Sequence, residues 1–201
     1  ILEWVREIAK GASIMTKTTM EEELLSSCYE FLLNDPLSTL LQENLEQVGA
    51  PEFSAEDWKF AAELAKNFGE EPEVLLDTTI AELKIVPQEK WKWGSGSVDD
   101  GDVSWNIPYG RLSTACSVKG GNGHSWHVVT CAGSDIGFKG MATAARTLAG
   151  AGVETLLNEK LRKAAWEDFR VKLGDKKYEC GVPDGLLPPH SRPGQKNYTA
   201  K

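Results

Sequence analysis

Leu112-Ser113-Thr114-Ala115-Cys116-Ser117-Val118-Lys119 and Trp126-His127-Val128-Val129-Thr130-Cys131-Ala132 decide how this chain reads. Both are short apolar or alternating runs, the second rich in β-branched residues, and Gly120-Gly121-Asn122-Gly123 lies between them. That pattern predicts two strands joined by a flexible loop. Helices are expected on either side of these two strands. His124 is then delivered at the edge of a strand. His127, three residues on, points to the opposite face of the extended segment.

The flanking sequence reads as helices. Ile1 to Lys10 has Leu2, Val5, Ile8 and Ala9 on one face, and Gly11 is the expected stop. Leu24 to Leu33 reads as extended, although Met20-Glu21-Glu22-Glu23-Leu24-Leu25 would also suit a helix. Asn34-Asp35-Pro36 is a strong helix start, with Asp35 as cap and Pro36 in the first turn. Leu37, Leu40, Leu41, Leu45 and Val48 make that helix's apolar face, and Gly49 ends it. Ser54 caps a second helix with Trp58, Ala61, Ala62, Ala65 and Phe68 as its buried stripe, stopped by Gly69. Lys139 to Leu157 is a long Ala- and Gly-rich helix marked by Met141, Ala144, Ala145, Leu148 and Leu156. Lys160 to Leu173 follows as a charged helix facing inward through Leu161, Ala164, Ala165 and Phe169. Pro183, Pro188, Pro189 and Pro193 mark the tail as an extended strap or loose end.

The composition excludes several classes. The 201 residues carry a net charge of -8, which argues against nucleic acid as the main partner. There is no basic amphipathic stretch for an anionic membrane surface and no apolar run of spanning length. Cys28, Cys116, Cys131 and Cys180 make no CxxC pair and read as reduced, mostly buried thiols of a cytoplasmic protein. The opening residues already have helical periodicity and no cap, so the chain reads as a piece of something longer.

Chemistry-bearing residues gather in two blocks, Gly96-Ser97-Val98-Asp99-Asp100-Gly101-Asp102-Val103-Ser104-Trp105 and Gly123-His124-Ser125-Trp126. An imidazole beside a glycine loop is well placed as a metal ligand. Asp99, Asp100 and Asp102 could offer oxygen ligands to a cation, but the EF-hand spacing is missing, and a self-capping turn accounts for them. Ser97 and Ser125 lack the GxSxG elbow of a nucleophile. Gly120-Gly121-Asn122-Gly123 lacks the Walker spacing, and His190 reads as exposed.

Taken together and in order, the blocks resemble the zinc aminoacylase/carboxypeptidase family of dimetal amidohydrolases, within it the aminobenzoyl-glutamate utilisation protein B group. That group carries Gly-Ser-Thr-Asp-Val-Gly-Asp-Val-Ser-Trp, from which this chain departs only at Val98 and Asp100. It also carries Gly-His-Ser-Trp, and a Lys-Gly-Met segment matched by Lys139-Gly140-Met141. Phe138 stands where the group usually has His.

The resemblance implies a two-domain parent. Residues 1–33 would be the end of an inserted lid and dimerisation domain, and residues 34–201 the C-terminal part of an α/β catalytic domain. It implies two divalent metal ions, zinc or manganese, with His124 as one ligand and Ser97, Asp99, Asp102 and Ser125 lining the cleft. The general base and the remaining ligands would lie upstream, so no residue of this chain is assigned as catalytic. The implied substrate is a small amide, an N-acyl amino acid or an aminobenzoyl-glutamate-like compound, cleaved by a homo-oligomer. The chain alone is expected to be inactive. The competing reading is a non-catalytic interaction or dimerisation module of the same descent.

Overall fold

Residues 1–68, 73–91 and 98–186 are described by a computed structural model, and all regular structure among them is helical. The elements are α1 (Leu2–Thr16), α2 (Asp35–Val48), α3 (Ala55–Ala65), α4 (Asp100–Ser104), α5 (Trp126–Ala132), α6 (Asp135–Leu157) and α7 (Glu159–Leu173), with a single 3-10 turn at Gln88–Lys90. The α/β expectation is therefore overturned: the described residues contain no strand and no sheet.

Both predicted strands fail for identifiable reasons. Trp126–Ala132 is a helix entered through Ser125 in extended conformation, whose side chain makes no capping bond, and closed by Gly133. Its Thr130 hydroxyl donates to the Trp126 carbonyl at 2.8 Å, the back-bond open to a threonine within a helix. Cys131 is buried against Ala61, Ile136 and Val118, and that burial outweighs the β propensity of two valines. Residues 111–116 have no regular structure, and no described segment pairs with them as a strand. They lie along α6 instead: Thr114 Oγ1 donates to the Gly140 carbonyl at 3.0 Å. A Cβ on Gly140 would come within 2.9 Å of the Ala115 carbonyl carbon, so only glycine permits this approach.

Two compact units are distinguished. One comprises Ile1–Cys28 and the chain from Glu179 onward. Within it α1 runs straight through Gly11, and its left-handed closing residue is Lys17. Arg6 donates through Nε to both carboxylate oxygens of Glu22, at 2.8 and 2.9 Å. None of the described residues is long and apolar enough, as a helix, to cross a membrane.

The second unit is Tyr29–Tyr178. Its described buried apolar residues form three small clusters. Ala61, Leu64, Ala65, Leu76, Val118, Cys131 and Ile136 make the first; Leu32, Trp105 and Phe169 the second; Leu40, Leu41 and Ala151 the third. In α3 the buried side is Asp57, Ala61, Leu64 and Ala65, while Trp58 stays exposed. In α6 the buried side is Ile136, Gly137, Gly140, Thr143, Thr147 and Ala151. Its larger apolar residues Phe138, Met141, Leu148 and Leu156 are exposed. Small residues lie inward because α2 and the 111–118 segment approach α6 closely.

Asn34, not Asp35, caps α2: its side-chain oxygen accepts from the Leu37 N–H at 3.2 Å. Its amide nitrogen donates to the Ala165 carbonyl of α7 at 2.8 Å, and the residue is fully buried. Asn34→Ala removes a helix cap and a buried hydrogen bond from α2 to α7. A loss of about 2 kcal/mol is expected from the two effects together, read as a lower urea midpoint at unchanged slope.

Candidate functional site

The two chemistry-bearing blocks do different jobs in the described structure. Gly96 and Ser97 lie outside the described residues, so the Ser97 assignment has no geometry. The described remainder of the first block forms α4, a short helix that grips the chain at Tyr29–Leu32. Asp102 accepts the Tyr29 N–H on Oδ2 at 3.2 Å and the Tyr178 hydroxyl on Oδ1 at 2.8 Å. Ser104, fully buried, accepts the Leu32 N–H at 2.9 Å and donates to the Gly101 carbonyl at 2.6 Å. The Trp105 indole donates to the Glu30 carbonyl at 2.7 Å and packs on Leu32 and Phe169. Asp100 accepts the Tyr109 hydroxyl at 2.8 Å, and burial, then this carboxylate, raise the tyrosine's pKa. Asp99 is exposed, at the entry to α4. The block thus satisfies backbone groups of an extended segment that no strand pairs.

His124 follows Gly123 and precedes the cap of α5. Its φ of 53° is left-handed, a conformation histidine tolerates better than most residues. The residue is exposed. Ser125 donates to the Asn122 carbonyl and lies 3.2 Å from His127 Nδ1. His127 is half-buried, its ring tilted at 52° against Trp126 at 4.0 Å and meeting Phe68 edge-on at 4.7 Å between ring centroids. Its Nε2 is buried without a partner among the described residues. His127 therefore belongs to a helix and an aromatic cluster, not to a strand face.

Among the described residues no group of three or more His, Cys, Asp or Glu is placed to hold a metal ion. These side chains alone do not fit a two-cation centre. His124 could give one ligand. No hydrogen bond or ion pair joins the described residues of the two blocks, and the blocks adjoin different buried clusters.

Motif reading missed a cavity of about 310 Å³ lined by Asp77, Thr79, Ser113, Cys116, Lys119 and Thr143, with others. Asp77 accepts from the Thr79 N–H and hydroxyl at 3.1 and 2.7 Å and pairs with Lys119 at 3.0 Å. The Thr79 hydroxyl, then Lys119, pull its carboxyl down to about 2. Asp77-Thr78-Thr79 is a local turn signature, but nothing in the sequence brings Lys119 to it.

No protein-family profile matches the chain, and no solved structure does. It is similar to a p-aminobenzoyl-glutamate hydrolase subunit of Escherichia coli (strain K12), 27% identical over 208 aligned residues. The alignment covers 94% of this chain and 43% of that protein, so the chain spans less than half the length of the curated relative. The resemblance read from the motifs thus recurs as similarity across nearly the whole chain.

Proposed function

We propose that this chain is part of a metal-dependent amide hydrolase related to p-aminobenzoyl-glutamate hydrolase. The substrate class is a small N-acyl amino acid or an aminobenzoyl-glutamate-like amide. The observation that carries the reading is the similarity over 94% of the chain to a protein of that name. The reading gives His124 one ligand position, and its exposure at a glycine-flanked corner supports that role. The α4 block holds the framework, and the general base and other ligands come from sequence this chain does not contain. Because the described residues do not fit a two-cation centre, no hydrolytic step is assigned to them.

Zinc titration of the purified chain, followed by calorimetry, tests the assignment alongside an assay for p-aminobenzoate release from p-aminobenzoyl-glutamate. Weak zinc binding that disappears in His124→Ala, with no hydrolysis, is the expected result. Binding unchanged in His124→Ala overturns the ligand role. Hydrolysis by the chain alone, with ordinary metal dependence, overturns the view that the base lies elsewhere.

The exposed Phe138, Met141 and Leu148 of α6 favour a second reading, a non-catalytic interaction or dimerisation module of the same descent. Light scattering separates the two. A self-associated chain that binds no zinc fits the second reading, and a monomer that binds zinc through His124 fits the first.

A further inference from the structure

The chain passes itself in opposite directions near residues 28 and 180. A Cβ on Gly181 would lie 2.8 Å from the Ser27 Cβ, so these two backbones are in side-chain contact. One residue beyond Cys28, the Tyr29 ring meets the Tyr178 ring with centroids 5.1 Å apart. Rising numbers on one segment meet falling numbers on the other, which is an antiparallel arrangement. Cys28 and Cys180 are the cysteines carried between those two contacts, and both are exposed and unpaired. These two contacts flank Cys28 and Cys180 on both sides, and a disulfide spans Cα separations of roughly 4.4–6.8 Å. The other two cysteines differ: Cys131 is buried and accepts the Val118 N–H, and Cys116 is half-buried beside Gly140.

We propose that Cys28 and Cys180 are a modification site, a thiol pair that closes to a disulfide on meeting a low-molecular-weight disulfide such as oxidised glutathione. One thiolate of the pair attacks a sulfur of the small disulfide, forming a mixed disulfide and releasing one small thiol. The second protein thiolate attacks the mixed disulfide at the first cysteine's sulfur, forming the Cys28–Cys180 bond and releasing the second small thiol. Two protein thiols are oxidised by two electrons, the small disulfide is reduced to two thiols, and the two protons leave with them. The bond joins the residues just outside Tyr29 and Tyr178, closing the whole intervening body into one covalent loop. Such a loop restricts the unfolded chain far more than the folded one.

The full chain is incubated with oxidised glutathione, its thiols are counted, and its peptides are mapped without reduction. Free thiols are expected to fall from four to two, with a peptide pair joining Cys28 to Cys180 in one chain. The melting temperature should rise by roughly 5 °C or more and return on reduction. Cys28→Ser should leave Cys180 as a glutathione adduct and lose that rise. Adducts on both cysteines without the cross-link, cross-links only between chains, or an unchanged thiol count would each overturn the proposal. So would a melting rise that survives in Cys28→Ser.

Discussion

Replacing Gly101 by alanine is expected to cost about 3 kcal/mol, a loss at the upper end for overpacking a tight site. An alanine Cβ there would overlap the Tyr29 carbonyl oxygen and come within 2.9 Å of its carbon. Backbone cannot swing aside as a long side chain does, so α4 must move away from Tyr29–Leu32. That movement strains the Asp102, Ser104 and Trp105 bonds to the Tyr29 N–H, the Leu32 N–H and the Glu30 carbonyl together. Gly123→Ala is the control, because a Cβ at Gly123 meets nothing within 4 Å. It should change stability by no more than about 0.5 kcal/mol. Urea unfolding of both variants checks the contrast, and equal midpoints would show that α4 does not grip the Tyr29 segment as described.

The same block shows what the sequence could and could not say. Its residue types mark it as special, and cleft lining is the natural expectation for Asp, Ser and Gly in a loop. Their partners lie far away in the chain, 73 residues for Asp102 with Tyr29 and 72 for Ser104 with Leu32. No local pattern encodes such a meeting. Helices with a strong start were legible: Asn34-Asp35-Pro36 opens α2 and Ser54 opens α3 with a full capping box. The long helix and the charged helix after it also stand where periodicity placed them, α6 beginning four residues earlier, at Asp135. Trp126–Ala132 was not legible, because seven residues are too few for a 3.6 period to show against a run of valines. Burial could not be ranked by size either. In α6 closeness of neighbours selects Gly and Thr for the inside and leaves Phe138 and Met141 out. His124 could be singled out from its setting, but ligands that a metal would need beside it are not among the described residues.

Lys139→Met should destabilise the chain by about 3 kcal/mol or more, through a charge that it leaves behind. Asp57 is 4% exposed in the capping box of α3, where its carboxylate accepts the Ser54 N–H at 2.6 Å. Its ion pair with Lys139 of α6 ties these two helices together. Burial pushes the Asp57 carboxyl up, but Lys139 and Ser54 outweigh it, and the net shift is downward from 3.8. A carboxylate depressed in the folded state contributes stability above its unfolded value, and that contribution is lost as pH falls through the folded value. The wild type should therefore weaken below about pH 4, and the gap between it and Lys139→Met should narrow over the same range. Methionine matches the lysine stem in length, so lost packing explains little of the difference at neutral pH. Asp57→Asn combined with Lys139→Met separates the charge from the contact. Asparagine keeps an oxygen for the Ser54 N–H and carries no charge, so the double variant should be more stable than Lys139→Met alone at pH 7. A double variant no better than the single one would mean that the unpaired carboxylate is not what costs stability, and that Lys139 acts through its stem.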